Sequence, residues 1–398
     1  MSEQTLTPVH IGAWSVETRR TDDGLDGLGA EWDDLFARCA AATPFQSYAW
    51  LESWWRSYGE PGRLRLTLVR RGDRLVAAAP MMLRWRSGCP VLTPLGGPFS
   101  DFTDVLLDDT MAADAAGVLA ANLIRQPGWQ AIDFPETRPG SLAATALWNA
   151  WPGARWSTPA SLCLELPATP MEDLVRDLPQ HSRKTVRRRL NQLKRAGLDI
   201  REVCATDATL GVAELLRLHE LQWQGRGVNQ AHLKPEFFEH LSRSAGAMIG
   251  RGQAALLEYR AGGKLMASSL VLIGRDLVGG YLYGADPALR EHVDVTTMLL
   301  ADTLPMAHRL GRPTMSMLRG AEEHKMRWRP AESQNQRILL ARPGSLRGAA
   351  FAKGVLAFRD GVRVAKARAP WLRQVRDQPR DQLRRLIVQA WVAARRPR

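Results

Sequence analysis

Residues 254–285 read AALLEYRAGGKLMASSLVLIGRDLVGGYLYGA, and this stretch decides the fold. Three apolar runs, Ala254 to Tyr259, Leu265 to Ile273 and Leu277 to Tyr283, are separated by Ala261-Gly262-Gly263 and Gly274-Arg275-Asp276. Short apolar runs bounded by glycine-bearing turns predict a three-stranded antiparallel meander. Downstream, Asp294 is placed to cap a helix running to about Leu310. Thr314 to Leu318 then reads as a strand, a helical turn follows, and Arg337 to Leu340 is a last strand. Upstream lie helices over Leu210 to Gln224 and Pro235 to Ile249, strands over Ser161 to Leu166 and Leu198 to Val203, and a basic helix from Ser182 to Ala196. Ser182 is its expected N-cap and Gly197 its stop.

The first half repeats the mixture. Trp32 to Ala40 and Ser47 to Tyr58 read as helices, the second with Trp50, Leu51, Trp54 and Trp55 on one face. Leu64 to Val69 and Leu75 to Pro80 flank Arg71-Gly72-Asp73 as a hairpin, and strand Val105 to Leu107, helix Met111 to Arg125 and strand Ala131 to Phe134 follow. The class is α/β (α+β) with a mixed, largely antiparallel sheet.

Composition narrows the function. The 398 residues are 45% apolar and 24% charged, which excludes a disordered, collagen-like or disulfide-stapled chain. No apolar run approaches the ~18 residues of a membrane span. Met1 to His10 lacks a basic start followed by an apolar core, so a cytoplasmic location is expected. Cys39, Cys89, Cys163 and Cys204 form no CxxC or Cys/His spacing; reduced thiols and no metal are expected. Of the net charge of +13, residues 342–398 hold 15 Lys and Arg against 3 Asp and Glu, and the remainder 39 against 38. A neutral body argues against DNA as a partner and sets the basic tail apart. Arginine outnumbers lysine 47 to 7, so each retained lysine is a candidate for chemistry that needs a compact charge.

The order meander, helix, strand, helical turn, strand resembles the Gcn5-related N-acetyltransferase (GNAT) fold. Trp32-Asp33-Asp34-Leu35, Pro44-Phe45-Gln46-Ser47 with Trp50, Pro80, and Leu95-Gly96-Gly97 with Asp101 and Asp104 resemble the N-terminal half of CelD-like acyltransferases, a family associated with bacterial cellulose and exopolysaccharide production. Arg183 to Gly197, His219 with Trp223, Tyr281 to Pro287, and Arg319-Gly320 through His324-Lys325 to Trp328 resemble its C-terminal half. That family is similar to FemAB-type peptidoglycan aminoacyltransferases, which carry two GNAT-like halves facing a shared cleft. The resemblance implies tandem GNAT-like domains over 1–160 and 161–341 and a basic helical tail over 342–398. It also implies acyl transfer, with acetyl-CoA or acyl-CoA as co-substrate, to a small-molecule or glycan acceptor such as a sugar or polysaccharide precursor. The alternatives are an inactive scaffold of a membrane polysaccharide synthase and an aminoacyl-tRNA-dependent transferase.

The chain departs from the family at identifiable places. GNATs hold the cofactor pyrophosphate on backbone N–H groups of a glycine-rich loop at a helix N-terminus. The matching segment, residues 290–295, has no glycine and ends with Asp294-Val295. A literal Gln-x-x-Gly-x-Gly, Gln222 to Gly227, closes a helix instead of opening one. Ser316 stands where the family often has an acid, and His324 where it often has an aromatic residue.

Candidate site residues follow, each with its plainer alternative. Glu258 shares a strand face with Ala254 and Leu256 and suits a base, or is a solvent-facing carboxylate. Asp286 before Pro287 is a second catalytic candidate, or an Asx turn. Lys325 is the strongest single candidate, as a donor to a developing oxyanion, or as a partner of Glu322. His324 beside it has a pKa suited to a base. Arg183, Lys184 and Arg187 on the basic helix, with Arg319, would hold donor phosphates, or form a solvated basic face. Asp101, Asp104 and Tyr283 are the acceptor contacts. Trp54 or Trp223 could stack a glycan, or be core. A shared cleft would bring Asp101, Asp286 and Lys325 to one pocket. In the tail, Phe351, Val355, Phe358 and Val362 recur at helical spacing, and a second segment after Pro370 carries Trp371 and Trp391. Basic amphipathic helices of this kind suit an anionic inner-membrane surface or dock on the protein's own body.

Overall fold

A two-residue turn with both residues at positive φ joins the first two strands of the meander. Gly262 and Gly263 sit at φ 54° and 81°, a conformation that closes a twisted hairpin and is cheap only for glycine. The structure is a computed structural model and describes residues 6–224 and 229–368. Its strands are β1 Leu6–Ile11, β2 Trp14–Arg19, β3 Leu64–Arg71, β4 Arg74–Arg86, β5 Cys89–Pro94, β6 Leu106–Leu107 and β7 Ala131–Thr137 in the first half. They continue with β8 Arg155–Pro167, β9 Asp199–Glu202, β10 Ala254–Ala261, β11 Lys264–Ile273, β12 Leu277–Ala285, β13 Thr314–Arg319 and β14 Ala331–Ala341.

All fourteen join one sheet in the order β1-β2-β3-β4-β5-β7-β14-β8-β13-β12-β11-β10-β9, with β6 on β4. One unit occurs twice: a strand, two helices, three antiparallel strands, a helix, a strand parallel to the third, and a last strand. In the first copy the helices are Gly29–Ala37, Tyr48–Tyr58 and Ala112–Arg125; in the second, Ala208–Trp223, Pro235–Gly250 and Val295–Arg309. The parallel pairs are β5 with β7 and β12 with β13. Each copy lends its last strand to the other: β8 pairs with β13, and β14 with β7. A division at 160–161 falls inside β8, so the two halves are built into one sheet.

Helix Tyr48–Tyr58 packs against Pro235–Gly250 across the halves. Ser53 Oγ donates to the His240 carbonyl at 2.7 Å. Trp50 and Trp54 are 0% and 1% exposed, so the tryptophan face is core, and Trp54 offers no platform to a glycan. Burying such a ring stabilises by roughly 4–6 kcal/mol at ~25 cal/mol per Å².

The basic helix spans Gln180–Ala196 and starts after Pro179, so Ser182 lies in its first turn and is not the cap. Gly197 stops it at φ 57°. The tail's first segment is a helix over Leu346–Arg368 whose Phe351 packs against Cys89, Val91 and Ala131. Arg347 donates to the Gly88 carbonyl and Arg359 to that of Pro159. This part of the apolar stripe therefore faces the body, while Phe358 stays exposed. The second tail segment, with Trp371 and Trp391, lies outside the described residues. Among the described residues no helix is long and apolar enough to cross a membrane.

Candidate active site

The parallel strands β12 and β13 meet over three residues only: Leu277, Val278 and Gly279 register with Thr314, Met315 and Ser316. Beyond Gly279 they part. β12 stays on β11 through Ala285, but Leu270 registers with Leu282 and Val271 with Gly280, so Tyr281 is an extra residue, a bulge that bends the strand. β13 follows β8, and its Leu318 takes φ 55°, a left-handed turn that costs a leucine roughly 1–2 kcal/mol. A Cβ on Gly279 would lie 3.0 Å from the Leu318 side chain, so glycine admits that turn.

The gap leaves one edge of β12 free. Asp286 N–H bonds the Met266 carbonyl at 2.8 Å. Hydrogen-bonded pairs of an antiparallel ladder alternate, so the Tyr283 carbonyl points away from β11, toward the edge that β13 has left. His219, from helix Ala208–Trp223, meets that carbonyl through Nδ1 at 2.8 Å. His232 Nδ1 lies 3.3 Å from His219 Nε2, and its ring stacks on Phe237 at 4.6 Å.

The first half closes the other side of this mouth. Tyr281 OH donates to the Phe99 carbonyl at 3.0 Å. Asp101 accepts from Arg319 N–H at 3.1 Å and Nε at 2.5 Å, and the guanidinium also donates to the Pro98 carbonyl at 2.9 Å. Burial opposes the charge on Arg319; Asp101 and Glu136 more than offset it and raise its pKa above the usual arginine value. Arg319 is thus committed to the junction of the halves. Lys325 Nζ donates to the carbonyls of Met317 and Arg319 at 3.0 Å and Gly320 at 3.4 Å, and pairs with Glu322 at 3.0 Å. Its three hydrogens are spent on the turn that presents Arg319.

Asp101 and Lys325 therefore meet through Arg319. Asp286 stands apart, as the Asx turn: it caps Ala288 N–H at 2.9 Å and pairs with Lys264 at 2.9 Å. The hydrogen bond from Lys264 holds its carboxyl below the usual range. Glu258 is buried, not solvent-facing, and pairs with Arg260 at 2.9 Å. It registers with Ser268 on β11, which registers with Gly284, so it lies two strands, about 10 Å, from β12. Asp104 takes three backbone N–H groups, from Val105, Leu142 and Ala143, at 2.7–2.8 Å. Its burial pushes its carboxyl up to about 7 against those bonds, and its oxygens are engaged within the first half. Tyr283 packs its half-buried ring beside the cluster under helix Val295–Arg309 and gives the mouth its carbonyl.

On the opposite face of the sheet, Asp294 fills the N-terminus of helix Val295–Arg309. Its carboxylate takes Thr297 N–H at 2.9 Å, Arg327 at 3.0 Å and Arg189 at 3.3 Å. The usual pyrophosphate cradle therefore does not fit here, because the chain's own carboxylate holds the place. Arg183 is tied to the carbonyls of Arg176 and Leu178. Lys184 and Arg187 share an open helix face with Arg188 and Arg195 and have no ion pair among the described residues. Burial lowers the pKa of His324 from its ordinary value. In the Gln222 to Gly227 motif, Gln222 ends a helix, and both glycines lie outside the described residues. Among the described residues no three His, Cys, Asp or Glu are grouped to hold a metal.

Residues 180–326, which carry the basic helix, the meander and the parted strands, match the acetyltransferase (GNAT) domain family. The fold is GNAT-like. FemX superposes with a TM-score of 0.56 at 11% identity, covering 84% of this chain and 97% of that one. The C-terminal domain (DUF2156) of a putative lysylphosphatidylglycerol synthetase from Agrobacterium fabrum superposes at 0.50 and 11% identity, covering 82% and 95%. L-PGS from Bacillus licheniformis does so at 0.50 and 11%, covering 80% and 93%. No curated protein matches the sequence. The GNAT-like fold was legible from the order of elements. His232, Phe99 and the Tyr281 bulge went unnoticed: a lone histidine, a loop phenylalanine and a one-residue slip carry no periodic signal.

Proposed function

We propose that the protein is a GNAT-type acyltransferase that moves an acyl group from an activated, polyanionic donor to an amine or hydroxyl held between the two halves. The parting of β12 from β13 carries this reading. Beyond Gly279 no strand lies beside β12 on this edge, and an extended, amide-bearing donor arm would lie along it as an added strand does. Acetyl-CoA or another acyl-CoA presents such an arm. Its phosphates would lie on Lys184, Arg187, Arg188 and Arg195, since Asp294 closes the helix N-terminus.

A second donor, aminoacyl-tRNA, is favoured by a specific observation: helix Gln180–Ala196 holds seven Lys and Arg and no acid. FemX and a lysylphosphatidylglycerol synthetase domain, whose name describes aminoacyl transfer to a lipid, share the fold. The acceptor reading, a sugar or polysaccharide precursor in cellulose or exopolysaccharide synthesis, rests on the sequence strings around Phe45, Gly96 and His219. Residues 369–398 would bring the protein to an anionic membrane surface, where such substrates are handled.

Calorimetry with acetyl-CoA, long-chain acyl-CoA and aminoacyl-tRNA tests the donor. Micromolar binding by one of them, weakened at least tenfold in K184E/R187E/R188E and by added salt, is expected. Binding of none supports the inactive scaffold and ends the acyl-transfer reading.

A further inference from the structure

The two histidines at the mouth form a relay whose hydrogens can be placed from both ends. At the inner end, the Tyr283 carbonyl can only accept, so His219 carries its hydrogen on Nδ1, and its Nε2 bears a lone pair. The partner of that lone pair, His232 Nδ1 at 3.3 Å, must then be the donor, which leaves the lone pair of His232 on Nε2. At the outer end, Asn229 Oδ1 accepts from Ala231 N–H at 3.1 Å, so its Nδ2 is the atom turned to His232 Nε2, also at 3.1 Å. That amide can only donate, and it again requires a lone pair on Nε2. Two anchors on different elements give one tautomer for each ring.

A buried histidine is most often a satisfied structural one, and one ring would suffice for that. Here a second ring extends the relay from the free edge of β12 to the exposed Asn229. Stacking on Phe237, with ring planes 13° apart, fixes the plane of His232. Phe99, 6.4 Å away, is the residue whose carbonyl holds Tyr281 at the bulge. Burial also lowers the pKa of His219, and that of His232 to about 4, so both rings are neutral near pH 7 and the lone pair is available.

We propose that His232 is the base that takes the proton of the acceptor, with His219 as the residue that positions it, an inference that rests on the acyl-transfer reading. The acceptor's N–H or O–H takes the place of the Asn229 amide at Nε2. As its nitrogen or oxygen attacks the acyl carbonyl carbon, its bond to hydrogen breaks and the proton passes to Nε2. The new C–N or C–O bond forms, the donor's thioester C–S or ester C–O bond breaks, and the leaving thiolate or alkoxide takes the proton from Nε2. Between these events the imidazolium keeps its Nδ1–H on His219 Nε2.

The test uses the full chain with acetyl-CoA, and separately aminoacyl-tRNA, against glucosamine. His232→Ala is expected to lower kcat by about a hundredfold or more, the usual contribution of a general base, with donor KM within about twofold. Added imidazole should restore rate in proportion to its concentration, which a structural role would not allow. His219→Gln, which can still donate to Tyr283 and accept from His232, should keep most of the rate, and His219→Leu should lose about tenfold of it. Wild-type transfer that His232→Ala retains, or loses without imidazole rescue, overturns the base and leaves acyl transfer standing. A wild-type protein that transfers from neither donor overturns acyl transfer and the base with it. Should His232→Ala fail to fold, imidazole nitrogen NMR of the wild type decides: Nε2 unprotonated in both rings supports the relay, and any other tautomer overturns it.

Discussion

Lys325 works inward. An ammonium that shares its three hydrogens among three strand-end carbonyls and a carboxylate holds this turn together, and its loss leaves those carbonyls short of partners. Lys325→Met should therefore lower stability by about 2–4 kcal/mol and lower activity through the displaced Arg319. Lys325→Arg should not restore it, because a planar fork cannot meet acceptors arranged around a point. Thermal melting separates the roles: lost activity at an unchanged Tm would mean that the ammonium faces substrate instead. Asp104 gives a prediction in pH. Its folded pKa, about 7, lies above the ordinary 3.8, with burial as the main cause. The folded state thus holds the proton more tightly, and this contribution to stability is present below about pH 4 and is lost as pH rises through 7. The gap in Tm between wild type and Asp104→Asn should narrow from pH 5 to 8; a widening gap would show an anion stabilised by its three N–H donors.

Arg319 at the end of β13 ties the sheet to the loop at 96–101. The ion pair is largely buried, so Asp101→Ala or Arg319→Ala should each cost about 3 kcal/mol by taking the main partner from a buried charge, Glu136 remaining at 3.9 Å from Arg319. The double variant should recover part of that, giving a coupling energy of about 1–3 kcal/mol in denaturant unfolding. Additive losses would show that the two residues do not act as a pair. Sequence reading singled out both residues but not their contact, because they lie 218 positions apart and nothing local encodes the pairing. The same limit explains the sheet. The meander and its helices were legible from apolar periods and glycine turns. The exchange of β8 and β14 was not, since each strand's partners are set by the other half. The sequence reading contains no strand at β5, where Pro90 and Pro94 weaken the strand pattern, although the strand is paired on both sides, with β4 and β7. Asp286 and Lys325 were found as polar residues in recognisable strings, and their alternatives, the Asx turn and the Glu322 partner, are what the structure builds.

The exchanged strands make the central seam β7-β14-β8-β13 the part of the sheet that binds the two halves, and the tail helix lies along its edge. Phe351 covers Cys89, Val91 and Ala131, and a Cβ on Gly348 would collide with the Gln130 carbonyl, so the helix approaches the body closely. This separates two uses of the tail. Cys89, Cys39 and Cys163 are buried, and Cys204 is exposed. In the native full-length protein one thiol, Cys204, should react quickly with a disulfide reagent such as DTNB. A chain ending at Gly344 should expose Cys89 and show two fast thiols, with Tm lower by several degrees, because an apolar patch and its backbone contacts lose their cover. A chain ending at Arg368 keeps the cover and should keep both the single fast thiol and the Tm, while losing whatever binding to anionic vesicles the intact protein shows. If the Gly344 chain still shows one fast thiol, helix Leu346–Arg368 does not shield the seam, and the basic stretch from residue 342 onward is free as a whole to bind elsewhere.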